Sequence, residues 1–254
     1  MNIAFFDSGI GGLTSLAYFI KKYPGHTYHY FADFAGFPYG NKSYEQLVER
    51  CKQNIAYLIE KEVTHIVVAC NTATVIVQEL IDLYPEITFV FGVDIAIAQA
   101  AAVTENKRIG LFATSYVVNA QMYPAKMKEY ASDVTIIQEA CPTLASIIEN
   151  GNPCEIASTI AFHMTAMQQA DIDTLILGCT HYGYATQYIR EIMPKIQIVF
   201  SDEHYRFFDE HQMNISSSKE LQLFIYSSLP FDILCNNVQS TLYALHADAY
   251  IVAE

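Results

Sequence analysis

Short apolar runs, rich in β-branched and aromatic side chains, alternate along the chain with longer stretches whose apolar residues recur every three to four positions. The short runs predict strands at Asn2–Phe6, His26–Ala32, His65–Ala69, Ile87–Val93, Arg108–Ala113, Val134–Glu139, Thr174–Gly178 and Gln197–Phe200. Most are apolar on consecutive positions, as strands are when helices cover both faces of their sheet. Between them, Leu13, Leu16, Ala17 and Ile20 mark one helix, which Pro24-Gly25 ends. Leu47, Cys51, Ile55, Leu58 and Ile59 mark another, opened by Ser43 with Gln46 three residues on, the spacing of a capping box. This places Cys51 in the core. A third stripe, Ile156, Ile160, His163, Met164 and Met167, makes His163 a core histidine rather than a ligand. Strands alternating with helices predict an α/β fold built on mostly parallel sheets flanked by helices.

The pattern also repeats. Ile3-Ala4-Phe5-Phe6-Asp7-Ser8 resembles Ile109-Gly110-Leu111-Phe112-Ala113-Thr114, and Val67-Val68-Ala69-Cys70-Asn71-Thr72 resembles Ile176-Leu177-Gly178-Cys179-Thr180-His181. Gly92-Val93-Asp94 parallels Phe200-Ser201-Asp202. Apolar strands resemble one another, so each match alone is weak, but the three keep their order at nearly one shift, which points to duplication. The expected architecture is two pseudo-symmetric lobes: residues 1–95, completed by 205–254, and residues 96–204. Open parallel sheets bind ligands beyond the carboxyl ends of their strands. Lobes facing each other there would set Cys70 and Cys179 across a shared cleft holding the active site.

Composition narrows the function. With 254 residues, 52% of them hydrophobic, the chain can bury a core for one large domain or two lobes. No apolar run approaches the roughly 20 residues of a membrane span, and Asn2-Ile3-Ala4-Phe5-Phe6-Asp7 opens without a basic leader or cleavage site. A cytoplasmic enzyme is the expectation. Fourteen Lys and Arg against 27 Asp and Glu, a net charge of −13, oppose binding to a phosphate backbone, so nucleic acid is excluded as a partner. The six cysteines, Cys51, Cys70, Cys141, Cys154, Cys179 and Cys235, include no CxxC pair and no zinc spacing. They read as reduced thiols, with no metal site.

Cys70 and Cys179 each end an apolar strand and precede small polar residues that lead into a helix, Asn71-Thr72-Ala73 and Thr180-His181. A helix N-terminus favours negative charge and lowers a thiol's pKa. Either thiol alone reads as readily as a buried, inert cysteine. The matched pair reads as acid and base, because inverting a stereocentre by proton transfer needs a base on one face of the carbon and an acid on the other. Such chemistry needs no redox or organic cofactor. Asp7-Ser8-Gly9-Ile10-Gly11-Gly12, between the first strand and first helix, lacks both GxGxxG spacing and a Walker lysine, which argues against a nucleotide. Its N–H groups and Ser8 suit a carboxylate; Asp7 either pairs with an ammonium, assists a thiol, or caps the helix. Phe37-Pro38-Tyr39-Gly40-Asn41-Lys42-Ser43 reads either as the wall of a small polar pocket or as a turn before a capped helix.

Asp7-Ser8-Gly9-Ile10-Gly11-Gly12, Pro38-Tyr39-Gly40-Asn41-Lys42-Ser43, Ala69-Cys70-Asn71-Thr72-Ala73 and Gly178-Cys179-Thr180-His181-Tyr182 resemble, in order, the signature motifs of the glutamate racemases. The resemblance spans residues 2 to 200. It implies two pseudo-symmetric α/β lobes, no cofactor, a homodimer, and interconversion of L- and D-glutamate to supply D-glutamate for peptidoglycan. It further implies that Cys70 and Cys179 are the acid/base thiols and that Asp7 and His181 assist them. Ser8, Pro38, Tyr39, Gly40, Asn71, Thr72 and Thr180 match positions that bind the amino acid. Glu149, before Asn150-Gly151, matches an acidic position near the site, or is an exposed acid at a helix end. Tyr116-Val117 replaces a usual glycine-threonine pair, and Gly183-Tyr184-Ala185 stands where a proline followed by leucines is common. Beyond residue 200 the resemblance is poor, and His204-Tyr205-Arg206-Phe207-Phe208-Asp209-Glu210-His211 carries no familiar motif; the tail is expected to return to the first lobe. Two other readings stay open: an aspartate or broad-specificity amino-acid racemase of the same superfamily, and a two-lobed small-molecule binding protein without catalysis, which has no need of matched reactive thiols.

Overall fold

The computed structural model describes residues 1–23, 25–201, 221–228 and, for the backbone, 250–251. The chain forms two compact units, Met1–Phe91 with Asp202–Glu254, and Gly92–Ser201.

The first unit runs β1 (Asn2–Asp7), α1 (Leu13–Lys22), β2 (Thr27–Ala32), α2 (Tyr44–Ile59), β3 (His65–Val68), α3 (Asn71–Leu80) and β4 (Thr88–Phe91). The second runs α4 (Gly92–Val103), β5 (Arg108–Ala113), α5 (Ser115–Asn119), α6 (Met122–Tyr130), β6 (Thr135–Ala140), α7 (Leu144–Asn150), α8 (Pro153–Gln169), β7 (Thr174–Gly178), α9 (Thr186–Ile192) and β8 (Gln197–Phe200). Two further strands, β9 (Gln222–Ser227) and β10 (Tyr250–Ile251), join the first unit's sheet.

Every described strand pair is parallel. The first sheet has the order β10-β9-β2-β1-β3-β4 and the second β6-β5-β7-β8. The run β2-β1-β3-β4 thus has the same order as β6-β5-β7-β8, so the repeat seen in the sequence is a repeat of topology. In each sheet the chain leaves the first strand to one side and returns on the other. The carboxyl ends of β1 and β3, and of β5 and β7, therefore flank a switch point, where parallel sheets leave a crevice.

The eight sequence-predicted strands all form, three with the predicted bounds and the others with ends shifted by at most two residues. The largest shift corrects Ile87–Val93: the strand stops at Phe91 and the buried Val93 already lies in α4. Burial alone does not separate a buried strand end from a buried helix start. α1 ends at Tyr23 with Gly25 at φ +90°; Pro24 lies outside the described residues, as do Asp202, residues 204–211 and Cys235. The capping box of α2 is present in full, Ser43 and Gln46 each accepting from the other's backbone N–H. Cys51 is fully buried, and that burial, followed by the charge of Asp33, pushes its thiol up to about 12. His163 is buried on α8 with Nδ1 2.7 Å from Glu139 Oε1.

The core between α1 and the sheet is aromatic: Phe5, Phe19, Tyr23, Tyr28 and Tyr30 are all buried, with the Phe5 and Phe19 rings edge to face at 5.4 Å. Buried hydroxyls there find backbone acceptors, Tyr28 donating to Tyr23 O and Tyr30 to Gly9 O at 2.7 Å. No described helix is long and apolar enough to cross a membrane.

Candidate active site

In the first unit the site grows from the carboxyl ends of β1 and β3. Hydrogen bonds from Ala69 N to Phe6 O at 2.9 Å and from Asp33 N to Asp7 O at 2.9 Å hold the three strand ends level. Asp7 is fully buried, and its Oδ1 accepts from Gly9 N at 2.9 Å, the local bond of an aspartate starting a tight turn. Cys70 is the N-cap residue of the ten-residue α3, at the helix end that favours negative charge, and its side chain makes no capping hydrogen bond. Its Sγ donates to Ser8 Oγ at 3.7 Å, joining the first and third motifs directly. Asn71 and Thr72 are buried in the first turn of α3.

Gly12 makes this assembly fit. A Cβ there would lie 2.9 Å from Ala69 Cβ and 3.1 Å from Asp7 Cβ, while its φ of −70° suits any residue. The requirement is purely steric, and neither neighbour is the movable end of a long side chain. Gly12→Ala is expected to lower unfolding free energy by about 1–3 kcal/mol and to cut turnover along with it, because the displaced residues adjoin Cys70. Urea unfolding and a turnover assay on the same preparation check this; unchanged values of both would remove Gly12 from the account.

Tyr39, between the half-buried Pro38 and Gly40, is 2% exposed. Its ring meets Phe6 edge on at 6.2 Å, beside Asp7. Its hydroxyl is turned inward to Asp33 Oδ2 at 2.5 Å. Burial, then the charge of Asp33, holds the Tyr39 phenol far above its ordinary range.

In the second unit Cys179 follows β7 and is half-buried, with Thr180 and His181 buried behind it. The segment Thr180–Ala185 is a 3-10 turn, and the α-helix begins only at Thr186. The sequence predicted a helix directly after each thiol; here it is delayed. Tyr182 is the anchor, fully buried with its hydroxyl donating to Cys141 O at 2.8 Å. His181 Nε2 stands 3.4 Å from Glu149 Oε1 with no hydrogen bond between them, and Thr180 Oγ1 is 3.5 Å from His181 Nδ1. Glu149 reaches it from the last turn of α7, where Gly151 takes the left-handed φ of +70° that ends the helix. Thr114, at the end of β5, caps α5 by accepting from Val117 N at 3.3 Å. At the divergent pair Tyr116-Val117, Val117 is therefore a buried backbone donor of that cap.

Within each unit the motifs are gathered: Asp7, Ser8, Cys70, Asn71 and Thr72 around one switch point with the Pro38–Gly40 segment near it, and Cys179, Thr180, His181 and Glu149 around the other. Among the described residues, no three or more His, Cys, Asp or Glu side chains cluster as a metal ion requires. The five described cysteines stand as thiols, unpaired in disulfides.

Residues 21–201 match the Asp/Glu/hydantoin racemase family. The chain belongs to that family. It is similar to the glutamate racemase of Stutzerimonas stutzeri, 38% identical over 76% of this chain and 74% of the relative, and to that of a Thermoanaerobacter species, 35% identical over 80% of each. Its fold is that of the glutamate racemase isoform RacE1 of Bacillus anthracis, with a TM-score of 0.89 over 99% of this chain and 96% of the other at 24% identity. Both thiols lie inside the family match, as do all the other motif residues except those of the first motif, Asp7 to Gly12. Sequence reasoning missed Asp33 and Asn54, which bond the Tyr39 hydroxyl, and Arg50 and Ser228, which bond the Asp33 carboxylate. One signal was available: Asp33 follows β2 as Asp7 ends β1, an acidic residue at the ligand-binding edge of the sheet.

Proposed function

We propose that this chain is a glutamate racemase, interconverting L- and D-glutamate without a cofactor by two-base proton transfer at the α-carbon. A thiolate on one face removes the α-proton, and a thiol on the other returns one to the opposite face, leaving the carbon inverted and the two sulfurs with protonation states exchanged. In the reverse direction Cys70 and Cys179 trade roles. One observation carries the reading: two units that share a four-strand order each place a cysteine just past the same strand, β3 or β7, at the switch point. Family membership and the names of its relatives supply the substrate.

Asp7 stands on the Cys70 side and the His181–Glu149 pair on the Cys179 side, as groups that tune thiol protonation and receive the ammonium. Ser8, Asn71, Thr72 and Thr180, with the backbone of Pro38, Tyr39 and Gly40, hold the carboxylates; donors fixed in place before reaction stabilise the carbanion-like transition state. With a net charge of −13 the global field disfavours a substrate that carries two carboxylates and one ammonium, so these local donors must supply its binding. The protein is further proposed to be a cytoplasmic homodimer that supplies D-glutamate for peptidoglycan.

The test is circular dichroism of L- and D-glutamate, with aspartate in parallel, in heavy water without added cofactor. Interconversion of the glutamates with deuterium at Cα supports the reading. Turnover of aspartate alone moves the chain to an aspartate racemase; no turnover of any amino acid leaves a binding protein.

A further inference from the structure

Asp33 is fully buried at the end of β2, and its carboxylate is saturated with donors. Oδ2 accepts from Tyr39 Oη at 2.5 Å, Arg50 Nε at 2.7 Å and Asn54 Nδ2 at 3.1 Å. Oδ1 accepts from Ser228 Oγ at 2.9 Å and from Arg50 Nη2, completing a two-pronged fork. Asn54 Nδ2 also donates to Tyr39 Oη at 2.9 Å, and Ala35 N donates to Ser228 Oγ at 2.9 Å. Burial raises the Asp33 carboxyl, but the bonds from Arg50, Tyr39, Asn54 and Ser228 outweigh it and hold the group below its usual range. The cluster closes over Gly36, where a Cβ would lie 2.4 Å from Arg50 Nε, 2.5 Å from Asp33 Oδ2 and 2.6 Å from Tyr39 Cε1.

A buried ion pair stabilises a fold poorly compared with apolar residues of the same volume. What this one supplies is direction. Arg50 and Asn54 are one turn apart on α2, and Ser228 follows β9, so two separate elements converge on one carboxylate whose remaining bond fixes Tyr39. We propose that Asp33 and Arg50, with Asn54 and Ser228, are positioning residues that hold Tyr39 and the adjoining backbone of Pro38 and Gly40 in the substrate-binding conformation, setting affinity for the amino acid rather than the rate of proton transfer. The inference rests on the glutamate racemase reading for the role of that segment. It also ties the divergent carboxyl-terminal part of the chain to the site through Ser228.

Arg50 tests it best, because its side chain is 28% exposed and the gap left by Arg50→Ala is open to a small cation. Arg50→Ala is expected to raise KM for glutamate about tenfold with kcat within about threefold of wild type. Millimolar guanidinium, against sodium chloride of equal ionic strength, should restore KM in this variant and leave wild type unchanged. Ser228→Ala should raise KM about threefold. Tyr39→Phe combined with Arg50→Ala should be no worse than the more severe single change, since both act through one contact. Hydrogen exchange at residues 39–42 should quicken in Arg50→Ala and slow again with guanidinium, a readout that needs no turnover and survives failure of the racemase reading. Wild-type KM in Arg50→Ala, a fall in kcat alone, or additive losses without guanidinium rescue would overturn the proposal while leaving the racemase reading standing. If Arg50→Ala does not fold, Ser228→Ala decides by the same split.

Discussion

Cys70→Ser and Cys179→Ser are each expected to lower kcat for racemisation by about a thousandfold or more in both directions, with KM within about threefold. The oxygen fills the place of the sulfur, so substrate binding is preserved, but an alcohol is far too weak an acid to serve as its anion near neutral pH. The more discriminating result lies in what survives. Each variant keeps one thiol, and that thiol can still remove an α-proton from the face it meets and return a solvent-derived one to the same face. Each variant should therefore exchange the α-hydrogen of one enantiomer with heavy water without inverting it, and the two variants should choose opposite enantiomers. Mass spectrometry of recovered D- and L-glutamate measures this directly. If both variants favour the same enantiomer, the thiols do not work on opposite faces; if either retains full turnover, its cysteine belongs to the core. The two thiols also differ in setting, since Cys70 caps a ten-residue helix while Cys179 precedes a 3-10 turn and is more exposed.

The sequence carried the fold where physical periodicity is local. β1, β3, β5 and β7 are continuous apolar runs, and Ser43 and Gln46 announce α2 within a single turn. Cys70 and Cys179 were legible because the duplication supplied an internal comparison within one chain. Glu149 was the weakest of the residues taken from the family resemblance, and it sits within ion-pair distance of His181 because α7 ends beside the turn after β7. What stayed hidden was long-range. Asp33 meets Arg50 across 17 residues, Asn54 across 21 and Ser228 across 195, separations that no window of periodicity spans. β9 was missed for the same reason. It adds to the sheet beside β2, far from its neighbours in sequence, and follows a segment with no readable pattern. Tyr39 was taken as a pocket residue from its motif alone; its hydroxyl proves to be bonded inward to Asp33.

Stability should fall steeply between pH 6.5 and pH 4, and His29 is the main reason. It lies on β2 directly opposite Phe224 of β9, its ring stacked on Phe224 at 5.2 Å and on Tyr226 at 5.8 Å. Nδ1 is 3.0 Å from Tyr226 Oη and Nε2 is 2.6 Å from Asn2 Oδ1. Lys61, packed over the Tyr57 and Tyr226 rings, adds a positive charge nearby. Burial and then Lys61 lower the imidazole from 6.5 to about 4, so the folded chain keeps it neutral where the unfolded chain takes up a proton. The folded state therefore holds its full advantage above pH 6.5 and loses it progressively until about pH 4, in total about 3 kcal/mol. His65, also lowered by partial burial, adds in the same direction. Asp33 and Asp173, held low by their hydrogen bonds, contribute only at still lower pH, as they protonate. His29→Gln should be less stable at pH 7 for want of the stacked ring, yet show a flatter decline toward pH 4.5, measured as the urea midpoint at each pH. A decline as steep as that of wild type would place the acid sensitivity elsewhere. Because His29 joins β2 to β9, hydrogen exchange in wild type at pH 4.5 should quicken first in β9, the strand that delivers Ser228 to Asp33.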